Sequence, residues 1–130
     1  MTNRKGRVTV PSAEFADRFA KSWIEAWNRH DLTAVLAHYH DDFEMRSPYV
    51  ATVGGVASGV LQGKAAVGAY WQKALATYSD LHFELSHVLV GTDSFMLVYR
   101  SIGGRLAAEL FYPDADGLIV RASAHYGAAT

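Results

Sequence analysis

Aromatic residues recur every four positions early in the chain: Phe15, Phe19, Trp23 and Trp27, with Ala16, Ala20 and Ile24 in the same broad stripe. A 3.6-residue repeat gathers these side chains on one side, so the spacing predicts an amphipathic helix with an aromatic buried face. Pro11 and Ser12 open it. Ser12 suits the N-cap, and Glu14 falls in the first turn, where the helix dipole favours an acid. The pattern ends near Asn28-Arg29-His30, and Asp31 is a suitable N-cap for a second, short helix carrying Leu32, Val35, Leu36 and Tyr39 on its apolar face. Residues 43–47 alternate apolar and polar and stop at Pro48, which predicts a strand. Residues 49–63 hold four glycines and read as a long loop with room for one short strand. Such a loop in a compact domain often serves as a lid or a binding loop. Helical spacing resumes over 64–77, with Val67, Tyr70, Trp71 and Leu75 as its buried side.

After Asp80 the pattern changes. LHFELSHVLVG, SFMLVYRSI, RLAAELFYP and LIVRASAHYG are strand-like runs, separated by Gly91-Thr92-Asp93, Gly103-Gly104 and Asp114-Ala115-Asp116-Gly117. Short, turn-rich separators predict antiparallel neighbours in a meander. Three helices followed by such a sheet is an α+β pattern, in which the sheet buries one face against the helices.

Composition narrows the function classes. A chain of 130 residues with half its residues hydrophobic fits one domain with a real core, over residues 11–130, preceded by a flexible tail of residues 1–10. Twelve basic and thirteen acidic side chains give a net charge of -1, so no nucleic-acid partner and no membrane-binding face are expected. The one basic cluster, Arg4, Lys5 and Arg7, lies in the tail. There is no cysteine, which excludes disulfides, thiolate metal sites and a cysteine nucleophile, and which suits a cytoplasmic protein. The first ten residues lack the apolar run of a signal peptide. No stretch approaches the roughly 20 apolar residues of a membrane span.

Two segments carry a resemblance. WIEAWNRHDLTAVLAHYHDDFEMRSP resembles the opening of nuclear transport factor 2-like proteins, a superfamily that includes the SnoaL-like polyketide cyclases and the ketosteroid isomerases. The tail FYPDADGLIVRASAHYG is similar to their last hairpin. The resemblance covers roughly residues 12–127. It implies a cone-shaped α+β domain, with three N-terminal helices packed on a strongly curved antiparallel sheet and a pocket between them. It also implies homodimers through the outer sheet face. Fold alone does not fix activity, because the same scaffold hosts enzymes and binding proteins. Of the isomerase's three functional positions, the general-base Asp is matched by Ser47, the oxyanion Tyr of the first helix by Trp23, and the protonated Asp of the penultimate strand by Glu109. Two of the groups are thus replaced by residues of other chemistry, and steroid isomerisation by that mechanism is not expected.

Glu109 is the central question. It lies among Ala107, Ala108, Leu110, Phe111 and Tyr112, so both faces of its strand look apolar. It is either an interface carboxylate paired with an arginine, or a pocket acid whose pKa burial raises and which can exchange a proton near neutral pH. The aromatics Trp23, Trp27, Tyr70, Trp71, Tyr99 and Tyr126 are either plain core or, because Trp and Tyr have polar handles, the walls of a cavity for a flat apolar ligand. Ala122 and Ala124, on the face of Tyr126, leave room for one. On the pocket reading, Glu109 is the proton-transfer group with Tyr99 and Tyr126 beside it, and Trp23, Trp27, Met45, Ser47, Tyr49, Tyr70, Trp71 and Phe111 contact the substrate. The reaction class is then cofactor-free acid/base chemistry: isomerisation, cyclisation, dehydration or hydrolysis of a small apolar organic molecule. The alternative is a non-catalytic ligand-binding or dimerisation module. The run His38-Tyr39-His40-Asp41-Asp42 offers metal-type side chains, but on a helix they would point to different sides, and no metal is expected. His125 belongs with Arg121 and Ser123 on the outer, dimer-facing side, or else near Glu109 as an orienting partner. GGVASG lacks the lysine spacing of a phosphate-binding loop.

Overall fold

The computed structural model describes residues 11–128, so the expected tail of residues 1–10 lies outside the described residues. Helix α1, Ala13–Asn28, starts where expected: the Ser12 hydroxyl accepts from the Phe15 N–H at 2.9 Å. Its end is a Schellman turn. The His30 N–H bonds the Trp27 carbonyl and the Asp31 N–H bonds the Ala26 carbonyl. His30 takes the left-handed conformation (φ 57°) that glycine usually fills there. Its ring Nε2 lies 2.9 Å from the Leu81 carbonyl oxygen, a contact that helps hold the turn. Asp31 then caps α2, Leu32–Leu36, by accepting from the Ala34 N–H. One tight corner thus turns the aromatic helix into the next element without a flexible linker.

The chain continues through β1 (Tyr39–Arg46), the one-turn helix α3 (Pro48–Thr52), the short strand β2 (Val60–Gln62), α4 (Lys64–Thr77), and then β3 (Glu84–Val90), β4 (Phe95–Arg100), β5 (Leu106–Pro113) and β6 (Ile119–Tyr126). The four last strands form the expected antiparallel meander. Gly103 and Gly104 turn between β4 and β5 with positive φ. In the β5–β6 turn, the Asp114 carboxylate accepts from the N–H groups of Asp116 and Leu118.

Several expectations need correction. The sheet is six-stranded and mixed, in the order β2-β1-β6-β5-β4-β3, because β1 runs parallel to β6. It is not closed, and β2 and β3 form its edges. Tyr39 opens β1 rather than completing the second helix, so His38 to Asp42 lead along a strand, not around a helix end. Both periods fit the apolar spacing from Leu32 to Tyr39, and pairing of Tyr39 with Ile119 on β6 decides the outcome. Residues 49–63 contain β2, the short strand for which there was room, but also most of α3, so they are not simply a long loop. Ser47 caps α3 and Pro48 begins it, a position where a missing N–H costs nothing.

The helices cover one face of the sheet, and the core lies between them. Strand alternation gives the inner face Phe95, Leu97 and Tyr99 from β4, Ala107, Glu109 and Phe111 from β5, and Ala122 and Ala124 from β6. A side-chain clamp fixes where α1 sits. Asn28 donates to the Phe83 carbonyl at 2.9 Å and accepts from the Phe83 N–H at 2.6 Å, pairing the helix end with the segment before β3 as a strand would. Asn28→Ala removes both bonds from a buried residue's backbone. A loss of about 2 kcal/mol is expected, measured as a lower urea midpoint. A loss under about 0.5 kcal/mol, in the range of an ordinary surface change, would show that water replaces the clamp.

Candidate functional site

The site begins with strand register. Glu109 lies opposite Leu97 on one side and Ala124 on the other, and Tyr99 lies opposite Ala107. Tyr99 is therefore the diagonal neighbour of Glu109 on the same face, within reach of a long side chain. Its hydroxyl donates to Glu109 Oε1 at 3.0 Å. Glu109 is only 3 % exposed. Among the described residues its second oxygen, Oε2, has no hydrogen-bond partner. A buried polar atom left unpaired costs about 1–3 kcal/mol.

Above this face, α1 presents Trp23. Its ring meets Tyr99 and Phe111 edge-on, at 5.3 and 5.5 Å between centroids, and stacks near Phe83 at 5.8 Å. Its indole N–H donates to the Tyr39 hydroxyl at 2.9 Å. One turn later Trp27 packs edge-on against Trp71 of α4 at 5.2 Å. The Trp27 N–H is buried and, among the described residues, has no acceptor.

Between these groups lies a pocket that opens to solvent at its mouth. Trp23, Trp27, Trp71 and Phe83 form apolar walls, and Glu109, Tyr99, Ser47 and Ser101 supply polar atoms. Tyr49, Tyr70 and Tyr126 also line it. These three tyrosines are half-buried, and Tyr49 and Tyr126 lie in contact at 4.5 Å between centroids. Arg105 donates to the Tyr49 hydroxyl at 3.3 Å. Among the described residues no lysine, arginine or histidine lines the pocket.

This environment sets the charges. Burial raises the Glu109 carboxyl from 4.5 to about 7, and the Tyr99 hydrogen bond pulls it partly back down. Tyr39, Tyr99 and Tyr126 are pushed above the ordinary tyrosine value, first by burial and then by the neighbouring Glu109 charge. Tyr70 rises to about 12 for the same two leading reasons. Near neutral pH these tyrosines keep their protons, whereas Glu109 exists in both forms and can give or take one.

The expected site residues fall as follows. Glu109, Tyr99, Tyr126, Trp23, Trp27, Met45, Ser47, Tyr49, Tyr70 and Trp71 all line the pocket. Phe111 does not, and this corrects the sequence reading. It shares the face of Glu109, but its ring is enclosed by Phe19 at 5.0 Å and by Phe95, stacked at 5.1 Å, so it belongs to the filled part of the core. His125 is exposed and lies opposite Ala108, away from Glu109. Phe83, Leu81, Ser101 and Ile102 line the pocket without having been anticipated. Their signal was weak because they flank strands, where alternation does not assign a face. The helical spacing up to Tyr39 hides its role as the partner of Trp23, which its place on β1 makes possible.

The raised pKa has a consequence for stability. Between about pH 4.5 and 7 native Glu109 keeps a proton that the unfolded chain has lost, so stability falls as pH rises through this window. Below it ionisation costs nothing, and above it the ionisation penalty is complete, on the order of 3 kcal/mol at most. Glu109→Gln lacks this titration. Urea unfolding from pH 4.5 to 8 is expected to show wild type losing stability relative to Glu109→Gln across the window. Parallel curves for the two proteins would contradict the assignment.

Comparison with known proteins agrees with this architecture. The family described as SnoaL-like domain matches residues 20–126. A SnoaL-like protein of unknown function from Burkholderia thailandensis E264 is 48% identical, with a TM-score of 0.89, covering 92% of this chain and 100% of that one. A candidate ketosteroid isomerase from Kribbella flavida DSM 17836 shares the fold at 16% identity, with a TM-score of 0.67 and coverage of 94% and 84%. A protein of unknown function with a cystatin-like fold from Methylobium petroleophilum PM1 does so at 16% identity, with a TM-score of 0.73 and coverage of 94% and 82%. No curated protein matches the chain. With a family match across most of its length and a relative at this identity, the chain belongs to the SnoaL-like family of the nuclear transport factor 2-like and ketosteroid isomerase-like fold.

Proposed function

We propose that this protein binds a small, neutral, largely apolar organic molecule in the pocket beneath α1 and acts on it by acid/base chemistry without a cofactor, with Glu109 as the proton-transfer group. The carrying observation is the Glu109 carboxyl itself: buried, held by one hydrogen bond from Tyr99, and with its other oxygen unpaired at the pocket wall. A carboxyl kept for structure alone would have both oxygens paired or an arginine beside it. Its raised pKa suits proton transfer near neutral pH. Isomerisation, cyclisation, dehydration and hydrolysis all fit such a group. The cysteine-free chain suits a cytoplasmic setting. Among the described residues no helix is long and apolar enough to cross a membrane.

One observation favours a second reading, a binding module without chemistry. Among the described residues only Tyr99 reaches Glu109 directly, and no second acid or base lines the pocket. Glu109→Gln separates the two. Screening wild type against neutral cyclic ketones, enones, lactones and epoxides, by tryptophan fluorescence and by product formation, is expected to find a converted compound. Glu109→Gln should bind it within about threefold and turn it over at least about 100-fold more slowly. Full turnover by the variant would remove Glu109 from the mechanism, and binding without conversion across the panel would favour the binding module.

The same reading includes a homodimer through the outer sheet face. Met96 pairs with Leu89 and Leu110 there, and Val98 with Ala108, while the inner residues of these strands are already covered. Leu89 is 53% exposed. An apolar stripe of this kind on a small domain favours burial against a second copy. Arg100 and Arg121 lie at its margins, the latter over the Tyr112 ring at 4.2 Å. Light scattering at micromolar concentration should report a dimer and Val98→Glu a monomer. A monomeric wild type would sink this part of the proposal.

A further inference from the structure

Trp23 and Trp27 stand one turn apart on the same helix face, yet their indole N–H groups have different fates. Trp23 donates to Tyr39. Trp27 is buried, lines the pocket, and has no acceptor among the described residues. Its ring is held in place edge-on by Trp71 and at a tilt by Phe83, at 5.2 and 5.5 Å, so the N–H is a fixed donor. Among the described residues the other unpaired buried side-chain atom is Oε2 of Glu109, a residue that lines the same pocket. Among the described residues these are the two buried side-chain polar atoms left without a partner, one a donor and the other a carboxyl oxygen.

Unpaired buried polar groups reject a ligand that cannot satisfy them and select one that can. No cationic side chain among the described residues lines the pocket to balance an anionic ligand. We infer that Trp27 is a substrate-binding hydrogen-bond donor, not merely a wall, and that the ligand is a neutral compound with an acceptor oxygen of the carbonyl class, oriented by the Trp27 N–H on one side of Glu109. This rests on the pocket reading above and adds the polar chemistry of the ligand to it.

The test is a two-by-two comparison using acetophenone and ethylbenzene, which have nearly the same shape and differ in the carbonyl oxygen. Dissociation constants are measured by NMR titration for wild type and for Trp27→Phe, which keeps an apolar ring and removes the N–H. Trp27→Phe is expected to weaken acetophenone about fivefold to tenfold and to leave ethylbenzene unchanged or slightly tighter. In ¹H–¹⁵N spectra the indole signal that Trp27→Phe eliminates should move downfield on adding acetophenone to wild type and stay in place with ethylbenzene. The signal of Trp23, already bonded to Tyr39, should hold still. An equal change for both compounds, or an unmoved Trp27 signal, overturns the donor role while leaving the pocket reading intact. Failure of both compounds to bind wild type up to their solubility limits overturns the pocket reading and this inference with it.

Discussion

The structure depends on how α1 lies across the inner face of the sheet. Its aromatic stripe meets two different surfaces. At one end Phe19 packs into Phe95 and Phe111, large side chains from β4 and β5 that fill the space completely. At the other end the strands offer Ala107 and Ala124, and the tryptophans of the helix span a gap that they do not fill. Trp23 stands at the boundary, with Phe111 on one side and Tyr99 on the other. The Asn28 clamp and the Schellman turn at His30 keep the helix from sliding to close the gap. A pocket is then a consequence of side-chain size on two strands, and Glu109 is the acid placed at its inner wall.

Chemistry follows from the same asymmetry. A carboxyl in the filled half would have no room for a reacting molecule, and one on the outer face would be solvated or paired. At Glu109 the strand register supplies one donor, Tyr99, and the alanine beside it supplies none. The result is a group whose neutral form is stabilised by burial and whose anionic form is only half compensated. This costs stability, as functional acids in apolar sites tend to do. The ring of tyrosines around it stays protonated under the same influence, so among the described residues the pocket holds a single group able to change charge near neutrality.

Much of this was legible in the sequence. The four-residue aromatic repeat, the caps Ser12 and Asp31, and the turn residues between the last strands each state a local rule that the structure obeys. Alternation put Tyr99 with Leu97 and Glu109 with Ala107, as found. It could not say which of two apolar faces looks inward, and the family resemblance supplied that direction. What stayed hidden was non-local. The parallel pairing of β1 with β6 joins segments some eighty residues apart, and it draws Tyr39 out of a helical pattern that its own neighbours support. The Asn28 clamp is invisible because one polar residue at a helix end has many uses. Phe111 was assigned to the pocket because it shares a face with Glu109, but sharing a face does not reveal what α1 places above each position. The orphaned N–H of Trp27 is of the same kind: nothing in its sequence context separates it from Trp23, whose partner lies sixteen residues further along the chain.

The chemistry of the pocket depends on Glu109 being buried at its wall with an elevated proton affinity. The most direct measurement is a pH titration followed by NMR of the ¹³C-labelled glutamate carboxyl carbons, with the Glu109 signal identified by its loss in Glu109→Gln. The Glu109 carboxyl is expected to titrate with a midpoint near 7. A Glu109 midpoint at the ordinary value of 4.5 would mean that water or a partner solvates the carboxylate, and would contradict it.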